Sequence, residues 1–486
     1  MSVITTNDLR RSGIALLVCS LVALLHSAAV AQSEPSPEPG PAPPDRVTPF
    51  PATTVQLPTF GVAIDAEGVL SLRRYDDPGG RLRATRVAAA RSTLPDDVLR
   101  SSDLRKVSLV KLEKAIREKI EAGEAPDETM RRLAGLLWVQ YVFFYPDEGD
   151  IVLAGPAEGW IEDAAGRAVG ASSGRPVLLL EDLIVALRAY APGRRDRPFI
   201  GCTIDPDREG LARLKQFQST VPRVIPQSQR GAAAAAIAKG MRDSLGMADI
   251  RVFGISEKTH AARVLIEADY RMKLIGIGLE PPPVRMTTFM EALKGASHST
   301  LQRWWFTPNY GCVKVTPDHL AMELIGEGVQ LLGEDKLIGD DGSLAAAGAR
   351  PNKASELFTT AFTNKYPEIA EASPVYAQMR SFVDLLVTAA FIRSEGYYDR
   401  SGWRLGVLAD EKALPVETHD SADKVMCAVN SQWKGSRLFT PAGGGVSIRA
   451  HQALADGWLY GDQNGKLADA YDAVHKRLAI ERWWWD

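Results

Sequence analysis

Cysteine is scarce in this sequence, and neither sign of charge is in excess. Only four of the 486 residues are cysteine, and 57 basic residues stand against 60 acidic ones, for a formal net charge of −3. A small disulfide-stapled domain is therefore excluded. A global basic surface is excluded as well, so we expect no nucleic-acid partner. Apolar residues make up 45% and charged residues 24%, which excludes a chain that is disordered or fibrous throughout.

Motifs for metals and cofactors are also missing. The seven histidines are scattered, and none pairs with another at helical spacing, so we predict no metal site. No Walker-type phosphate loop is present. Segment 276–281 (GIGLEP) lacks the third glycine and the following helix that a dinucleotide-binding loop requires. We therefore expect no cofactor, and a non-enzymatic role is favoured over an enzyme.

The N-terminus has the pattern of an export signal. Arg10 and Arg11 precede an apolar stretch over residues 14–25, and Ala-Val-Ala at 29–31 forms a small-x-small cleavage site. Residues 1–31 are therefore predicted to be a signal peptide, which places the mature protein in the periplasm or outside the cell. An uncleaved anchor is less favoured, because the stretch is shorter than the about 20 residues that cross a bilayer. The general secretory and twin-arginine routes both stay open.

The segment behind the signal, residues 32–60, is rich in proline, serine and glutamate. Proline fixes φ and removes a hydrogen-bond donor, so this segment is predicted to be a disordered linker. Farther along, the most apolar run, 382–392, is too short for a bilayer and contains Asp384. We therefore expect a soluble mature protein with no transmembrane segment after signal cleavage.

Three cysteines remain once the signal is removed: Cys202, Cys312 and Cys427. An odd and sparse set is not a disulfide framework. Export permits one bridge, for which Cys312 with Cys427 is the best pair, but three buried thiols that pack as small apolar residues are the favoured interpretation. The sequence does not decide between these alternatives.

Residues 61–134 are predicted to form a β-hairpin followed by a helical lead-in. Two strand-like segments, 61–64 and 69–72, flank a turn that ends in glycine. In segment 104–122 the apolar residues recur at helical spacing.

The next segment, 135–295, predicts an α/β domain. Continuous apolar runs alternate with helical segments at 177–180, 199–204, 250–255 and 274–279. Such runs are typical of buried strands, so we expect a mostly parallel sheet covered by helices. The helix over 259–273 places Leu265 on an apolar face, while Arg263, Glu267 and Arg271 follow at i,i+4 spacing, which is typical of a solvated face.

Residues 296–486 predict mixed antiparallel strands and helices, with a helix near the C-terminus. Three consecutive glycines at 443–445 are interpreted as a turn between strands rather than as a phosphate-binding loop. The fold class expected for the whole chain is therefore α/β, or α+β overall.

Polar side chains at two predicted strand ends are the candidates for a site. Ligands in open parallel sheets bind beyond the carboxyl ends of the strands. Asp205 follows the run 199–204, while Glu257 and His260 follow the run 250–255. A carboxylate can orient an imidazole for proton transfer, so these three residues are weak catalytic candidates. The favoured alternative is structural: Asp205 caps a helix, Glu257 suits a helix start, and the His260 ring is solvated.

Several segments carry a resemblance to a known family. They are VFGI at 252–255, THAARVLIEADYRMK at 259–273, IGIG at 275–278, DIVLAGPAE at 150–158, NKAS at 352–355 and TPAGGGV at 440–446. The sequence resembles a family of exported proteins typical of planctomycete bacteria that share a domain of unknown function. The resemblance covers about residues 60–455. It implies export and carries over no catalytic residues.

These observations favour an exported, extracytoplasmic protein with a binding or structural role in the cell envelope, through an unknown ligand or envelope partner. The alternative is an exported hydrolase with an acid/base site near Asp205, Glu257 and His260.

The mature protein is expected to begin at Gln32, because the Ala-Val-Ala segment directly precedes it. Intact-mass measurement of the exported protein tests this. Recovery of secreted material that still carries Met1 would contradict the signal-peptide prediction.

Overall fold

The structure is a computed structural model, and it describes residues 59–222, 224–293, 300–347, 352–434, 436–476 and 484–486. All of these belong to one compact unit, residues 43–486. The predicted signal peptide, 1–31, and nearly all of the predicted linker, 32–60, lie outside the described residues.

Helices and strands are mixed along the chain, which confirms the α/β class. The strands are β1 (Thr59–Ile64), β2 (Val69–Tyr75), β3 (Ser102–Ser108), β4 (Tyr141–Tyr145), β5 (Asp150–Ala157), β6 (Trp160–Glu162), β7 (Ala168–Gly170), β8 (Ile200–Pro206), β9 (Met247–Phe253), β10 (Thr300–Pro308), β11 (Val313–Val315), β12 (Ala321–Leu324), β13 (Val329–Ile338), β14 (Leu344–Ala346), β15 (Lys424–Met426), β16 (Val429–Lys434), β17 (Ser436–Ile448) and β18 (Leu459–Gly461). The helices are α1 (Arg81–Thr93), α2 (Asp96–Leu99), α3 (Leu109–Glu121), α4 (Glu128–Arg131), α5 (Leu180–Ala189), α6 (Arg208–Thr220), α7 (Arg230–Leu245), α8 (His260–Gly276), α9 (Phe289–Ala292), α10 (Lys353–Asn364), α11 (Tyr366–Ala372), α12 (Pro374–Ser394), α13 (Tyr397–Ser401) and α14 (Lys466–His475). Short 3-10 helices lie at Pro78–Gly80, Leu133–Gly135, Gln227–Gln229, Gly406–Ala409 and Ala450–Leu454.

The larger sheet runs in the order β1-β2-β15-β9-β8-β17-β10-β13-β14, and β16 pairs with β17. Its parallel pairs are β2 with β15 and β10 with β17. The mostly parallel sheet expected in segment 135–295 differs from the described pairing, because β8 and β9 run antiparallel. Two helices, α6 and α7, connect β8 to β9. The chain reverses its direction twice along them, so β9 begins at the edge of the sheet where β8 ends. A single crossover helix would have made the pair parallel.

The smaller sheet runs in the order β18-β11-β12-β4-β5-β3, with β11 and β18 parallel and the other pairs antiparallel. The last described residues extend it. The Ser108 amide donates to the Trp484 carbonyl at 2.8 Å, and the Asp486 amide donates to the Lys106 carbonyl at 3.0 Å. Residues 296–486 contain both strands and helices, as was predicted for this part of the chain.

Two apolar runs that were expected to be strands have other structures. Residues 177–179 lead into α5 without regular structure, and residues 274–276 form the last turn of α8. Nearly every side of α8 is buried, so its apolar residues do not alternate with solvated ones. A short apolar run cannot by itself distinguish a buried helix from a buried strand.

The central helix α8 packs against β8 and β17 of the larger sheet and against α5 and α12. The predicted apolar face is confirmed, since Leu265 is fully buried. The solvated charged face is wrong: Glu267 and Arg271 are also buried, and Arg271 pairs with Glu280 at 2.8 Å and with Glu267 at 3.3 Å. These charges are tolerated inside the protein because each one has an oppositely charged partner.

Lys273, near the C-terminal end of α8, carries a fully buried charge. Its Nζ donates to Oδ2 of Asp269 at 2.6 Å, to the Ile204 carbonyl at 3.0 Å and to the Gly444 carbonyl at 3.3 Å. Three acceptors match the three protons of an ammonium group. Because Ile204 lies in β8 and Gly444 in β17, one side chain ties α8 to two neighbouring strands of the larger sheet.

The three glycines at 443–445 lie within β17, so the predicted turn is wrong. A Cβ on Gly445 would lie 1.9 Å from the carbonyl oxygen of Cys202 in β8. A Cβ on Gly444, where φ is +113°, would lie 2.0 Å from the carbonyl oxygen of Trp304 in β10. Glycine is required because the backbones of the adjacent strands leave no room for a side chain.

The three described cysteines, Cys202, Cys312 and Cys427, are buried, and no disulfide joins any two of them. The alternative of a bridge between Cys312 and Cys427 is therefore not found in the described structure. Burial raises the pKa of Cys427 to about 12 and that of Cys202 well above its usual value. Protonated, buried thiols of this kind are inert packing groups.

Helix α12 is long and apolar enough to cross a membrane, with 21 residues and a mean hydropathy of 1.3. In this structure 83% of its most apolar window is buried inside the protein. The helix packs against α5, α8 and α11. The apolar composition of α12 is therefore explained by its position in the core of the protein.

Leu265→Ala is expected to lower the free energy of unfolding by about 2–5 kcal/mol, because it leaves a cavity under α8. Leu279→Ala is the matched control: the same change at a side chain that is 46% exposed should stay within roughly 0.5 kcal/mol. Urea unfolding measures both variants. Equal losses would show that α8 does not have the packing described.

Candidate functional site

Asp205 lies at the end of β8 and does not cap a helix. The strand continues through Pro206, and Asp207 caps α6 instead. The Asp205 carboxylate accepts two hydrogen bonds from Arg303, from Nη2 at 2.8 Å and from Nε at 3.2 Å. It also accepts one from the Gly444 amide at 3.0 Å. The Asp205 carboxylate therefore forms a bidentate ion pair with Arg303.

His260 is the first residue of α8, and Thr259 caps the helix. Its Nδ1 lies 2.9 Å from Oδ2 of Asp182, and its Nε2 lies 3.3 Å from the side-chain nitrogen of Gln378. Only 16% of the His260 side chain is exposed, so the expected solvated ring is wrong.

The three predicted candidates do not come together. Lys273 contacts the Ile204 carbonyl, so Asp205 lies near the C-terminal end of α8, whereas His260 begins that helix. Thirteen residues of helix separate the two ends, which is roughly 20 Å at about 1.5 Å per residue. Glu257 is exposed and has no hydrogen bond or ion pair to the described residues.

A second histidine lies beside His260. The ring centroids of His260 and His419 are 5.8 Å apart. The His419 Nδ1 accepts from Arg263 at 3.1 Å, and its Nε2 lies 3.4 Å from Glu181. We call the group formed by these side chains the histidine cluster, and its members are Glu181, Asp182, His260, Arg263, Gln378 and His419.

The carboxylates of the histidine cluster come from the start of α5. Glu181 and Asp182 occupy its first turn, where the partial positive charge of the helix favours acidic side chains. Neither acid was predicted as a site residue, because Asp182 and His260 are 78 residues apart and no local spacing in the sequence connects them. The available hint was that these two acids interrupt the apolar run that begins at residue 177.

Charge pairing sets the protonation of the histidine cluster. Burial would lower the pKa of His260, but the carboxylates of Asp182 and Glu181 outweigh burial and raise it above its usual value. Burial would raise the pKa of Glu181, but His419 and His260 outweigh burial and lower it. His260 therefore favours the imidazolium form, paired with Asp182.

This arrangement can hold charge but is poorly suited to proton transfer. A general base needs an unprotonated nitrogen that faces the substrate. Asp182 engages Nδ1 of His260, so only Nε2 could face a substrate, and the raised pKa of the ring favours the form in which Nε2 also carries a proton. Among the described residues, no group of three or more His, Cys, Asp or Glu side chains could hold a metal ion.

A further motif, Gly-Ala-Ser-Ser-Gly at 170–174, has the spacing of a hydrolase nucleophile elbow. The structure places it in a different role. The carboxylate of Glu158 accepts hydrogen bonds from the amides of Ser172 and Ser173 at 3.0 Å each. An elbow requires a helix directly after the serine, but α5 begins only at Leu180. This segment is a loop held by a buried carboxylate.

Asp182→Asn is expected to destabilise the fold by about 1.5–3 kcal/mol at low pH, because it removes a charged hydrogen bond to His260. A histidine whose pKa is raised by folding stabilises the folded protein fully at pH values below its pKa in the unfolded chain. This stabilisation is lost as the pH rises through its pKa in the folded protein. The loss should therefore be larger at about pH 5.5 than at about pH 9.

Urea unfolding at the two pH values measures this difference. Asp243→Asn, which breaks an exposed pair with Lys239, is the control and should change little at either pH. A loss for Asp182→Asn that does not depend on pH would show that His260 is neutral in the folded protein.

Comparison with known proteins identifies one match. A family model described as protein of unknown function (DUF1598) matches residues 202–289. No curated protein and no solved structure matches the chain. The matched segment runs from β8 to the start of α9 and contains Asp205, Glu257 and His260, whereas Asp182, Gln378 and His419 lie outside it. The chain therefore contains a DUF1598 domain at residues 202–289, and this domain supplies only part of the histidine cluster.

Proposed function

We propose that this is an exported protein of the cell envelope with a binding or structural role, in which the histidine cluster is part of the scaffold. The observation that carries the non-catalytic role is the ion pair between Nδ1 of His260 and Asp182, which favours the imidazolium form, together with the side-chain amide of Gln378 that lies beside Nε2. A histidine held in this way ties α8 to α5 and α12 and has no free nitrogen to offer a substrate.

Export is supported by the N-terminal sequence alone. The paired arginines, the apolar stretch at 14–25 and the cleavage site at 29–31 have the order of a secretory signal. Proline-rich composition over 32–60 suits a spacer between the export site and a folded part. The resemblance to exported planctomycete-type proteins favours the same location.

The other two candidates also favour a non-catalytic role. Asp205 is engaged by Arg303, which is itself paired with Glu334 at 2.7 Å. Glu257 is exposed at the opposite end of α8 from Asp205. A hydrolytic site requires an acid and a base within reach of one substrate, and Asp205 lies too far from Glu257 and His260 to act with either of them.

The second candidate function is an exported hydrolase, and one observation favours it. A carboxylate that binds Nδ1 of a histidine is the arrangement that orients a catalytic base. In this hydrolase, Asp182 takes the orienting role that the sequence suggested for Asp205 or Glu257. The ring would have to lose its Nε2 proton, and Gln378 would have to move away from Nε2, before the ring could accept a proton from a substrate or water.

A hydrolase screen separates the two functions. Wild-type protein and His260→Gln are assayed on chromogenic esters, phosphate esters, glycosides and peptides. We expect the wild-type protein and His260→Gln to show no difference in turnover on any of these substrates, because His260 is a scaffold residue. Glu257→Gln is the matched control for a neighbouring polar change on an exposed side chain. Turnover that His260→Gln abolishes, with folding intact by circular dichroism and with Glu257→Gln active, would establish the hydrolase instead.

A further inference from the structure

Exposed arginines lie next to aromatic side chains at one end of the larger sheet. Ile200 of β8 pairs with Ile448 of β17, and the two strands run antiparallel. Phe199 and Arg449 therefore face each other at the next position, just before β8 begins and just after β17 ends. The guanidinium carbon of Arg449 lies 4.9 Å from the centroid of the Phe199 ring, and Arg449 is exposed. The ring supports the arginine while its charge remains accessible to solvent.

The loop that leads into β8 adds further positive charge. Residues 193–197 (GRRDR) are all exposed. Within this loop Arg194 pairs with Asp196 at 2.6 Å. Three arginines at this end of the sheet form no ion pair with any residue that the structure describes: Arg195, Arg197 and Arg449. Their charges are therefore available to a partner outside the protein.

An exposed tryptophan lies at the same end of the sheet. Tyr310 follows β10, which runs parallel to β17. Burial raises the pKa of Tyr310, and the backbone and charge of Arg449 act against burial, which places the Tyr310 hydroxyl beside Arg449. The ring centroids of Tyr310 and Trp458 are 6.4 Å apart. Trp458 lies in the turn before β18 and is 45% exposed, so a partner at this end of the sheet can reach its indole ring.

We call this group of three arginines and three aromatic residues the basic end, and its members are Arg195, Arg197, Phe199, Tyr310, Arg449 and Trp458. Burial and the charges of Arg197, Arg449 and Arg393 lower the pKa of His451. Arg197 and Arg449 therefore lie close enough together to act on the same imidazole ring.

The positive charge of the basic end is local. The loop 193–197, the turn 456–458 and Arg449 together contain four arginines and two acids, Asp196 and Asp456. The whole chain, in contrast, has a net charge of −3. Such a local excess of one sign attracts a partner of the opposite sign to this part of the surface.

The shape of the basic end favours a membrane surface over a polymer chain. Arg449 stacks on the Phe199 ring, and the rings of Tyr310 and Trp458 are inclined by 62°. These aromatics therefore form no continuous row of ring faces on which a sugar chain could stack. The exposed loop 193–197 and the exposed turn 456–458 instead lie at the same end of the sheet. Guanidinium groups bind phosphate in a bidentate manner, and tryptophan is enriched at the level of lipid headgroups.

We propose that the basic end docks on the anionic phospholipid headgroups of a membrane surface. Arg195, Arg197 and Arg449 pair with lipid phosphates, and the indole ring of Trp458 inserts at the level of the headgroups. A few basic residues and one aromatic anchor give a reversible attachment rather than a permanent one. The inference goes beyond the proposed function, because it names a partner surface and requires neither turnover nor the histidine cluster.

The test is co-sedimentation of the purified chain with lipid vesicles. The chain starts at Gln32, because the apolar stretch over 14–25 would bind any vesicle, and this start leaves the compact unit 43–486 whole. We expect binding to vesicles made of equal parts of phosphatidylglycerol and phosphatidylcholine, and little binding to phosphatidylcholine alone. Binding should fall as the salt concentration rises, because salt screens exposed charges. The absence of binding to the anionic vesicles at low salt would overturn the proposal.

Paired substitutions locate the binding. Arg195→Gln with Arg197→Gln changes two exposed side chains that have no ion pair to lose, so this variant should keep the Tm of the wild type. It should bind the anionic vesicles at least tenfold more weakly. Arg74→Gln with Arg404→Gln is the control for net charge, since it removes two exposed arginines elsewhere, and it should bind as the wild type does. Wild-type binding by the first variant would overturn the assignment to the basic end.

The insertion of Trp458 has its own test. Trp458→Ala should weaken vesicle binding severalfold, whereas Leu279→Ala, at an apolar side chain that is 46% exposed, should not. Equal binding by the two variants would contradict the role given to Trp458.

A soluble polyuronate tests the other class of anionic partner. Binding to this polysaccharide that is lost in Arg195→Gln with Arg197→Gln, without binding of the wild type to anionic vesicles, would overturn the membrane surface and indicate an acidic glycan. Vesicle binding depends on neither export nor turnover. A negative result here therefore leaves the proposed function standing.

Discussion

The buried ammonium group of Lys273 is the constraint on which the centre of this fold depends. A charge with no exposure to solvent is tolerated only if its protons are all paired. Asp269 and the carbonyls of Ile204 and Gly444 provide that pairing, and the latter two fix α8 against β8 and β17. Burial raises the pKa of Asp269 to about 6 even beside Lys273, which shows how strongly this environment opposes charge.

The position of α8 then determines the polar groups at its two ends. Its C-terminal end lies near Asp205, which is engaged by Arg303, and its first residue, His260, meets Asp182 at the start of α5. Because α5, α8 and α12 pack against one another, the histidine cluster forms where the starts of these three helices meet. At this meeting point Asp182 contacts His260, and Arg263 contacts His419, so side chains from different helices hold one another in place.

Much of the local structure was predictable from the sequence. The hairpin of β1 and β2, the apolar face of α8 through Leu265 and the preference for buried thiols all follow from patterns that span a few residues. Strand direction was not predictable in the same way, because it depends on whether one or two helices return the chain between β8 and β9. The histidine cluster could be predicted only as far as His260, since Asp182, Gln378 and His419 are distant in sequence and meet only through helix packing.

The sequence by itself determined the α/β class and the expectation of an export signal, because these depend on composition and on short-range patterns. Only the tertiary structure decided which charges are buried, which strands are neighbours and why β17 needs glycine at positions 444 and 445. The physical reason is the same in each case. Desolvation, ion pairing and close backbone approach depend on what lies within a few ångströms in space, and residues far apart along the chain supply those neighbours.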